Sequence, residues 1–478
     1  MKKPNFLFIF SDQHNYGVMG CAGNDVIRTP NMDKLASEGI LFTNAYCQNP
    51  LCVPSRANFM TGRYSKNLGI YDNRHALQAN GETLPRALGR AGYKTCVIGK
   101  THFNGEQWQG FGQRPYGDLF GQGHQPDPIR TEPAPGSGLG DIIFEAGPSG
   151  IPITMTQTEI VVAESVKWLQ VHQSQIPDQP FFLSVNFDKP HFPIKPPKKF
   201  FDHYVGKVKL PEQDGNYADE KAVPFVRQAA HNNGSVQYCG DTQVCEKTLA
   251  AYYGCIEWVD DAMGRVVEAL DYLGLAEDTV VVYSTDHGDM VYSKGFWQKT
   301  TLFDDSARIP FIVRCPAKFK GGRVKEDFVG LIDLMPTFLD MAGATTDAPM
   351  DGVSLKDILE KDAPLERKEI FSESVVLKEP EHAGCMIRSG KWKYNHYLDG
   401  VDELYDMEAD PREMNNLCGK AEYAAVAAEL KAKVIAFWEP EKQLERYNNC
   451  PMMSNEKHFY FYSNQFMLSD GNLADGRP

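Results

Sequence analysis

TVVVYSTDHGD, residues 279–289, is an apolar run that stops abruptly at polar groups. Val280, Val281, Val282 and Tyr283 are β-branched or aromatic, as strands favour. The run does not alternate with polar residues, so it suits a strand covered on both faces. It ends at Asp286 and His287, beyond the carboxyl end of the strand, where open α/β sheets bind ligands. MGRVVEALDYLGLAED, at 263–278, reads as the amphipathic helix and turn that lead into it.

The same unit recurs along the chain. NFLFIF at 5–10 ends at Ser11 and Asp12, with Gln13 next. TPNMDKLASEG at 29–39 offers Thr29 as N-cap, Pro30 at the first helical position and Gly39 as stop. GETLPRALGRAGYKTCVIGK at 81–100 gives a helix, a glycine break and a short strand before Lys100. PFFLSVNFDKPH at 180–191 gives a strand before His191. Strands alternating with helices imply an α/β fold: a large, mostly parallel sheet sandwiched by helices. From about residue 366 the pattern changes to short extended stretches, KWKYNHY and DELYDM, followed by a helix at AEYAAVAAELKAKVIAFW. The expected organisation is a catalytic α/β domain over 1–365 and a smaller C-terminal α+β domain with an antiparallel sheet over 366–478.

Residues 106–150 are rich in glycine and proline, and a long irregular insertion of that kind is usually functional or mobile. The aromatic tail beyond Tyr447 has the composition to cover a neighbouring domain or a second subunit, so a homo-oligomer through the tail is an open expectation.

With 478 residues, 42% hydrophobic and 23% charged, the chain has the balance of a soluble globular enzyme. A net charge of −14 argues against a nucleic-acid or anionic-membrane partner. No apolar run approaches the ~20 residues needed to span a bilayer. FLFIF near the start is too short for a signal-peptide core, so the chain as it stands is expected to be cytoplasmic, or periplasmic or secreted if a signal was removed. The Asn233-Gly234-Ser235 sequon carries little weight in that setting. Eleven cysteines without CxxC pairs suggest neither a zinc ribbon nor a disulfide framework.

A lone Asp at a strand end is commonly a helix cap, and a lone His a hydrogen-bonded structural residue. Here strand after strand ends in such a group: Asp12 and Gln13, Lys100 and His102, His191, then Asp286 and His287. Two carboxylates, an amide oxygen and an imidazole suit a divalent cation with mostly oxygen ligands, such as calcium, magnesium or manganese.

CVPSR at 52–56, running on into ANFMTGRY, resembles the C-x-P-S-R signature of the type I sulfatases of the alkaline phosphatase superfamily. TPNMDKLASEGILFTNAYCQNPLCVPSR, GKTHF, STDHGDM, LIDLMPTFLDMAGA and DELYDMEADPREMNNL resemble further blocks of that family, in order along most of the chain. The resemblance implies that Cys52 is converted to formylglycine by a formylglycine-generating enzyme, and that its hydrate is the nucleophile. It implies that Asp12, Gln13, Asp286 and His287 hold one divalent cation together with position 52. Calcium is the first expectation, with manganese or magnesium as alternatives, because the family often has Asp and Asn where this chain has Gln13 and His287. It further implies that Arg56 pairs with the nucleophile's oxygen and that Lys100 and Lys299 clamp sulfate oxygens. His102 would be the base and His191 the acid for the leaving oxygen. The implied reaction releases inorganic sulfate from a sulfated carbohydrate or a small alkyl or aryl sulfate.

Two features stand apart from the pattern. Many relatives have G-E-H-G before the tryptophan, whereas this chain has Tyr292-Ser293-Lys294-Gly295-Phe296-Trp297, either a surface loop or a change on the leaving-group side. DKPHFPIKPPKKF surrounds His191 with Lys189, Lys195, Lys198 and Lys199, either solvated or receiving an anionic substrate. The alternative enzyme is a phosphonate monoester or phosphodiester hydrolase of the same superfamily. The non-enzymatic rival is a metal-binding protein in which Cys52 stays a thiol.

Overall fold

The computed structural model of the chain describes residues 3–78, 80–103, 108–117, 145–212, 217, 221–232, 240–376, 379–449, 465–467 and 473–475. Much of the 106–150 stretch, the sequon and most of the tail beyond Tyr447 lie outside the described residues, and with them the expected tail-mediated contact.

The large sheet holds β1 (Asn5–Asp12), β2 (Ile40–Tyr46), β3 (Lys94–Gly99), β4 (Phe181–Pro190), β5 (Thr279–Thr285), β6 (Phe311–Arg314) and β7 (Arg323–Gly330). Their order is β3-β4-β1-β5-β6-β2-β7. Only β6 runs against its neighbours, β5 and β2; the other pairs are parallel. The mostly parallel sheet expected from the sequence is therefore present.

The period of two along a strand explains why both faces are covered. Phe6, Phe8 and Phe10 enter one core with helix α2 (Cys52–Thr61) and the helices Leu84–Arg90 and Leu334–Ala342. Leu7 and Ile9 enter the opposite core with helix α1 (Pro30–Glu38) and the helices Gln157–Gln175 and Thr242–Tyr272. Val280 and Val282 divide from Val281 and Tyr283 in the same way. Full burial of each such side chain is worth about 1.5–3 kcal/mol, which holds the strand ends rigidly enough to present polar groups.

Two details differ from expectation. The helix before β5 begins at Thr242, well before Met263, because Asp241 caps it through Gln243 and Val244 N–H. Thr29 precedes α1 as expected, but its hydroxyl accepts from Gly20 N–H and donates to Asp33. The free N–H groups of α1 are satisfied instead by Asp260, which accepts from Asn31 at 3.1 Å and Met32 at 2.7 Å.

The C-terminal part is an antiparallel sheet of β8 (Glu369–Val376), β9 (Glu379–Ser389), β10 (Trp392–Tyr397) and β11 (Glu403–Asp406), in the order β11-β10-β9-β8. Helix Ala424–Trp438 covers it through Leu430, Val434 and Trp438. Among the described residues no helix is long and apolar enough to cross a membrane.

Candidate active site

Four adjacent parallel strands, β3, β4, β1 and β5, end at one edge of the sheet. Lys100 follows β3, His191 follows β4, Asp12 ends β1, and Asp286 follows β5. Gly99 takes φ of 101°, and a Cβ there would overlap the carbonyl oxygen of Asn186, so only glycine fits this turn into Lys100.

Helix α2 brings the remaining groups. Every residue of α2 is buried, and Cys52 is its first residue. Leu51 offers no capping side chain, and Asn73 accepts from Val53 N–H at 3.0 Å in its place. Ser55 Oγ donates to the Asp286 carbonyl at 2.5 Å. Arg56 donates to Asp12 Oδ2 at 2.7 Å, to Asp286 Oδ2 at 3.1 Å and to the Lys100 carbonyl at 2.9 Å. The serine and arginine of CVPSR thus lash the helix to three strand ends. These bonds put the Arg56 guanidinium between the two carboxylates.

Asp12, Cys52, Asp286 and His287 are all buried, and one ligand atom from each lies within 4.8 Å of the others. Cys52 Sγ is 3.3 Å from His287 Nε2 and 3.3 Å from Lys299 Nζ. Lys299 Nζ also donates to Gln13 Oε1 at 2.7 Å, which brings the amide to the same cluster. Lys100 Nζ pairs with Asp12 Oδ2 at 2.8 Å. Asp12 Oδ1 is buried and accepts no hydrogen bond among the described residues, with His191 Nε2 3.8 Å away. Acceptors converging on one space, one of them an unpartnered buried carboxylate oxygen, fit a divalent cation. His102 follows Lys100, buried, in the left-handed region at φ of 51°.

The ring nitrogens are oriented by carbonyls, which can only accept. His287 Nδ1 donates to Gly288 O at 2.9 Å and His191 Nδ1 to Phe192 O at 2.8 Å. Both Nε2 atoms are thereby left to the site.

The charges act on one another strongly. Burial opposes ionisation of Asp12, yet Lys100, His191, Arg56 and Lys299 hold it well below the ordinary carboxylate range. Burial and the charge of Asp12 push Asp286 up, to about 6. Burial and Asp12 also raise the Cys52 thiol, but Lys299, His287 and Lys100 outweigh them and hold it well below the ordinary thiol. Burial, Lys100 and Lys299 lower His191 to about 3, so its imidazole is neutral beside these cations.

The segment carrying Lys299 is unusual. Val291, Tyr292, Lys294, Gln298 and Thr300 all have positive φ, between 40° and 81°. Such residues cost on the order of 1 kcal/mol or more each and persist only where their surroundings hold them. Asp289, which the sequence reading passed over inside STDHGDM, does much of the holding. Its Oδ1 accepts from Val291 N–H at 2.7 Å and Gln298 N–H at 3.2 Å, and its Oδ2 accepts from Gln13 Nε2. A second acidic residue so soon after the strand was the available signal.

Lys294 stands in the Tyr292–Trp297 departure. It is buried, donates to the Arg412 and Glu413 carbonyls, and sits 4.5 Å from the Phe303 ring centroid. It is not a surface residue. The lysines around His191 divide similarly. Lys189 is buried against Asp188 at 2.9 Å, Lys198 pairs with Asp202, and Lys199 lies over the Phe200 ring. Lys195 is half-buried, and its charge, after burial, lowers Lys247.

The remaining described cysteines form no disulfide with one another, and most are buried.

Known proteins carry the same framework. The profile of the family described as Sulfatase matches residues 4–344, and that of N-sulphoglucosamine sulphohydrolase, C-terminal, matches 293–439. The chain is 32% identical to an arylsulfatase of Clostridium perfringens, across 88% of this chain and 91% of that one. It is 30% identical to an N-acetylglucosamine-6-O-sulfatase of Bacteroides thetaiotaomicron, across 90% and 85%. A protein solved in complex with its substrate D-glucosamine-2-N,6-O-disulfate superimposes with a TM-score of 0.72 at 25% identity, covering 95% of this chain and all of that one. The phosphonate monoester hydrolase of Agrobacterium radiobacter shares the fold, with a TM-score of 0.78 at 23% identity over the whole of both chains.

Proposed function

The chain belongs to the sulfatase family of the alkaline phosphatase superfamily and hydrolyses organic sulfate esters, and we propose that it does so with formylglycine at position 52 and one divalent cation. The observation that carries this reading is the convergence of Asp12, Cys52, Asp286 and His287 within 4.8 Å, with Lys299 Nζ on Cys52 Sγ. The oxygens of the modified side chain would take the place of Cys52 Sγ.

Asp12, Gln13, Asp286 and His287 would hold the cation, for which calcium is the first choice given the oxygen-rich donors. The neutral Gln13 amide and His287 imidazole leave manganese as the competitor. When bound, the cation supplies fixed positive charge to the nucleophile and to sulfate. Formylglycine supplies, through its hydrate, one hydroxyl for attack and a second whose deprotonation allows sulfate to leave. The other groups act around it. Lys299 and Lys100 neutralise the sulfate oxygens in a water-poor site, where such charges are most effective. Arg56 keeps the two carboxylates apart from each other's full repulsion. His102 takes a proton from the nucleophilic side chain. His191 would take up a proton at Nε2 for the leaving oxygen once the negative charge of a bound sulfate ester offsets the lysines that lower it.

The substrate is a sulfated carbohydrate. The two relatives with sugar substrates support this: N-acetylglucosamine-6-O-sulfatase and the protein solved with D-glucosamine-2-N,6-O-disulfate. The test uses protein co-produced with a formylglycine-generating enzyme. Its Cys52 peptide should be lighter by about 18 Da. N-acetylglucosamine 6-sulfate should be turned over faster than a phenylphosphonate monoester. Full activity in protein whose Cys52 is still a thiol would overturn the formylglycine reading, and preference for the phosphonate would favour the alternative hydrolase.

A further inference from the structure

A glutamine ligand has a weakness that a carboxylate ligand lacks. Its amide has an acceptor end and a donor end, and only the oxygen can face a cation. Turning the amide over replaces the oxygen with an N–H₂ group of nearly the same shape. Gln13 therefore needs neighbours that tell its two ends apart.

The structure provides one on each side. Lys299 Nζ, a donor only, is 2.7 Å from Gln13 Oε1. Asp289 Oδ2, an acceptor only when ionised, receives Gln13 Nε2. The backbone of Gln13 is itself fixed: its N–H donates to Asp286 Oδ1 at 3.1 Å, and its carbonyl accepts from Tyr252 OH at 2.6 Å. Turning the terminal amide over needs no movement of that backbone. Asp289 cannot turn in compensation, because its Oδ1 already accepts from Val291 and Gln298 N–H. Asp289 and Gln13 are both fully buried, so water does not stand in for a lost partner.

We infer that Asp289 is a positioning residue that locks the Gln13 amide with its oxygen towards the cation site and Lys299. The inference rests on the reading of Gln13 as a cation ligand. It makes a specific demand of Asp289→Asn. The introduced amide keeps its oxygen on Val291 and Gln298, so its N–H₂ meets the N–H₂ of Gln13. That donor–donor conflict is relieved by turning the Gln13 amide over, which presents N–H₂ to the cation and to Lys299. A compensating change follows: Gln13→Glu has oxygens at both ends, accepting from the introduced amide with one and offering the other to the cation.

The experiment titrates calcium into wild type, Asp289→Asn, Gln13→Glu and the double variant, by calorimetry and by the calcium-dependent shift in melting temperature. Loss of a group that orients a ligand typically costs about 10- to 100-fold in metal affinity. Asp289→Asn should show that loss, and the double variant should return to within about threefold of wild type. Gln13→Glu alone should be weaker than the double, because it sets a second buried carboxylate against Asp289. A role confined to holding the 291–298 segment predicts no rescue by a change at position 13. Wild-type affinity in Asp289→Asn, or a double variant no tighter than Asp289→Asn, would overturn the assignment while leaving Gln13 a ligand. Calcium and manganese both failing to bind wild type would instead overturn the cation reading, and this inference with it. If Asp289→Asn does not fold, the double variant decides: it should fold and bind, and failure to do either counts against the proposal.

Discussion

Around Asp12 two carboxylates share Arg56 and Lys100 yet leave one oxygen without a hydrogen-bond partner; around Lys393 two carboxylates close on a single ammonium. Both clusters combine acidic groups and lysines largely inside the protein, yet they are built to opposite ends. In the first, Arg56 bridges Asp12 and Asp286, Asp12 Oδ1 accepts no hydrogen bond among the described residues, and Asp286 is pushed up to about 6 by burial and its neighbour. In the second, Lys393 Nζ lies 2.7 Å from Asp304 and 2.8 Å from Glu413. Tyr46 OH donates to Asp304, and Arg388 donates to Tyr46 OH at 2.9 Å. Burial works against Asp304, but Lys393, Arg388 and Arg308 hold it low; burial pushes Glu413 up to about 7, so Asp304 is the main counter-charge. Buried charge alone does not mark a site. Converging ligand atoms, one of them a buried carboxylate oxygen with no hydrogen-bond partner among the described residues, do.

The comparison breaks most visibly at Cys52. Cys52→Ala should cut turnover by on the order of 10⁴-fold or more, since the proposed nucleophile is gone. Its melting temperature should change little, because the side chain contributes only a small volume. Sulfate release from a sugar sulfate, per folded protein, is the measurement; activity near wild type would remove the first cluster's claim to the chemistry.

A sharper cut separates acid from clamp. His191→Ala should lose more on a sugar sulfate than on p-nitrophenyl sulfate, whose leaving group is already a stable anion. General acid catalysis is worth about 100- to 10,000-fold, so a difference of at least about 10-fold in the kcat/KM ratio is expected. Lys299→Ala should lower both substrates alike, since sulfate is common to them. Equal losses for His191→Ala would make it a sulfate-binding or structural residue.

Much of the first cluster was legible along the chain because its members sit where apolar strands stop. Asp12, Lys100, His191 and Asp286 each end such a run, and the parallel order of β3, β4, β1 and β5 does the rest. What escaped the sequence were pairings between distant segments. Asp260 capping α1, Asn73 capping α2 and Asp289 gripping Gln13 each join residues whose separation carries no local signal. The second cluster was invisible for the same reason: Lys393 reads as one more polar residue in a half-covered strand until Asp304 and Glu413 close on it.

Lys393→Met tests that second cluster directly. It removes the cation shared by two buried carboxylates and should cost about 3–5 kcal/mol of stability, read by chemical denaturation. Calcium affinity and kcat/KM per folded molecule should stay within about twofold. A loss of calcium affinity would show the two clusters to be coupled.

The smallest effect on chemistry is expected at Lys294, the residue that departs from the family's G-E-H-G block. Its ammonium donates to the Arg412 and Glu413 carbonyls and lies near the rings of Phe303 and Tyr217. Lys294→Met keeps most of the volume and leaves buried carbonyls short of a donor, a cost of about 1–3 kcal/mol. Lys294 shares a strained segment with Lys299, but Asp289 grips that segment independently at Val291 and Gln298. The melting temperature should therefore fall while the ratio of sugar-sulfate to p-nitrophenyl sulfate efficiency stays at its wild-type value. A changed ratio would mean that Lys294 reaches the leaving group after all, and that the tether to 412–414 is not its main role.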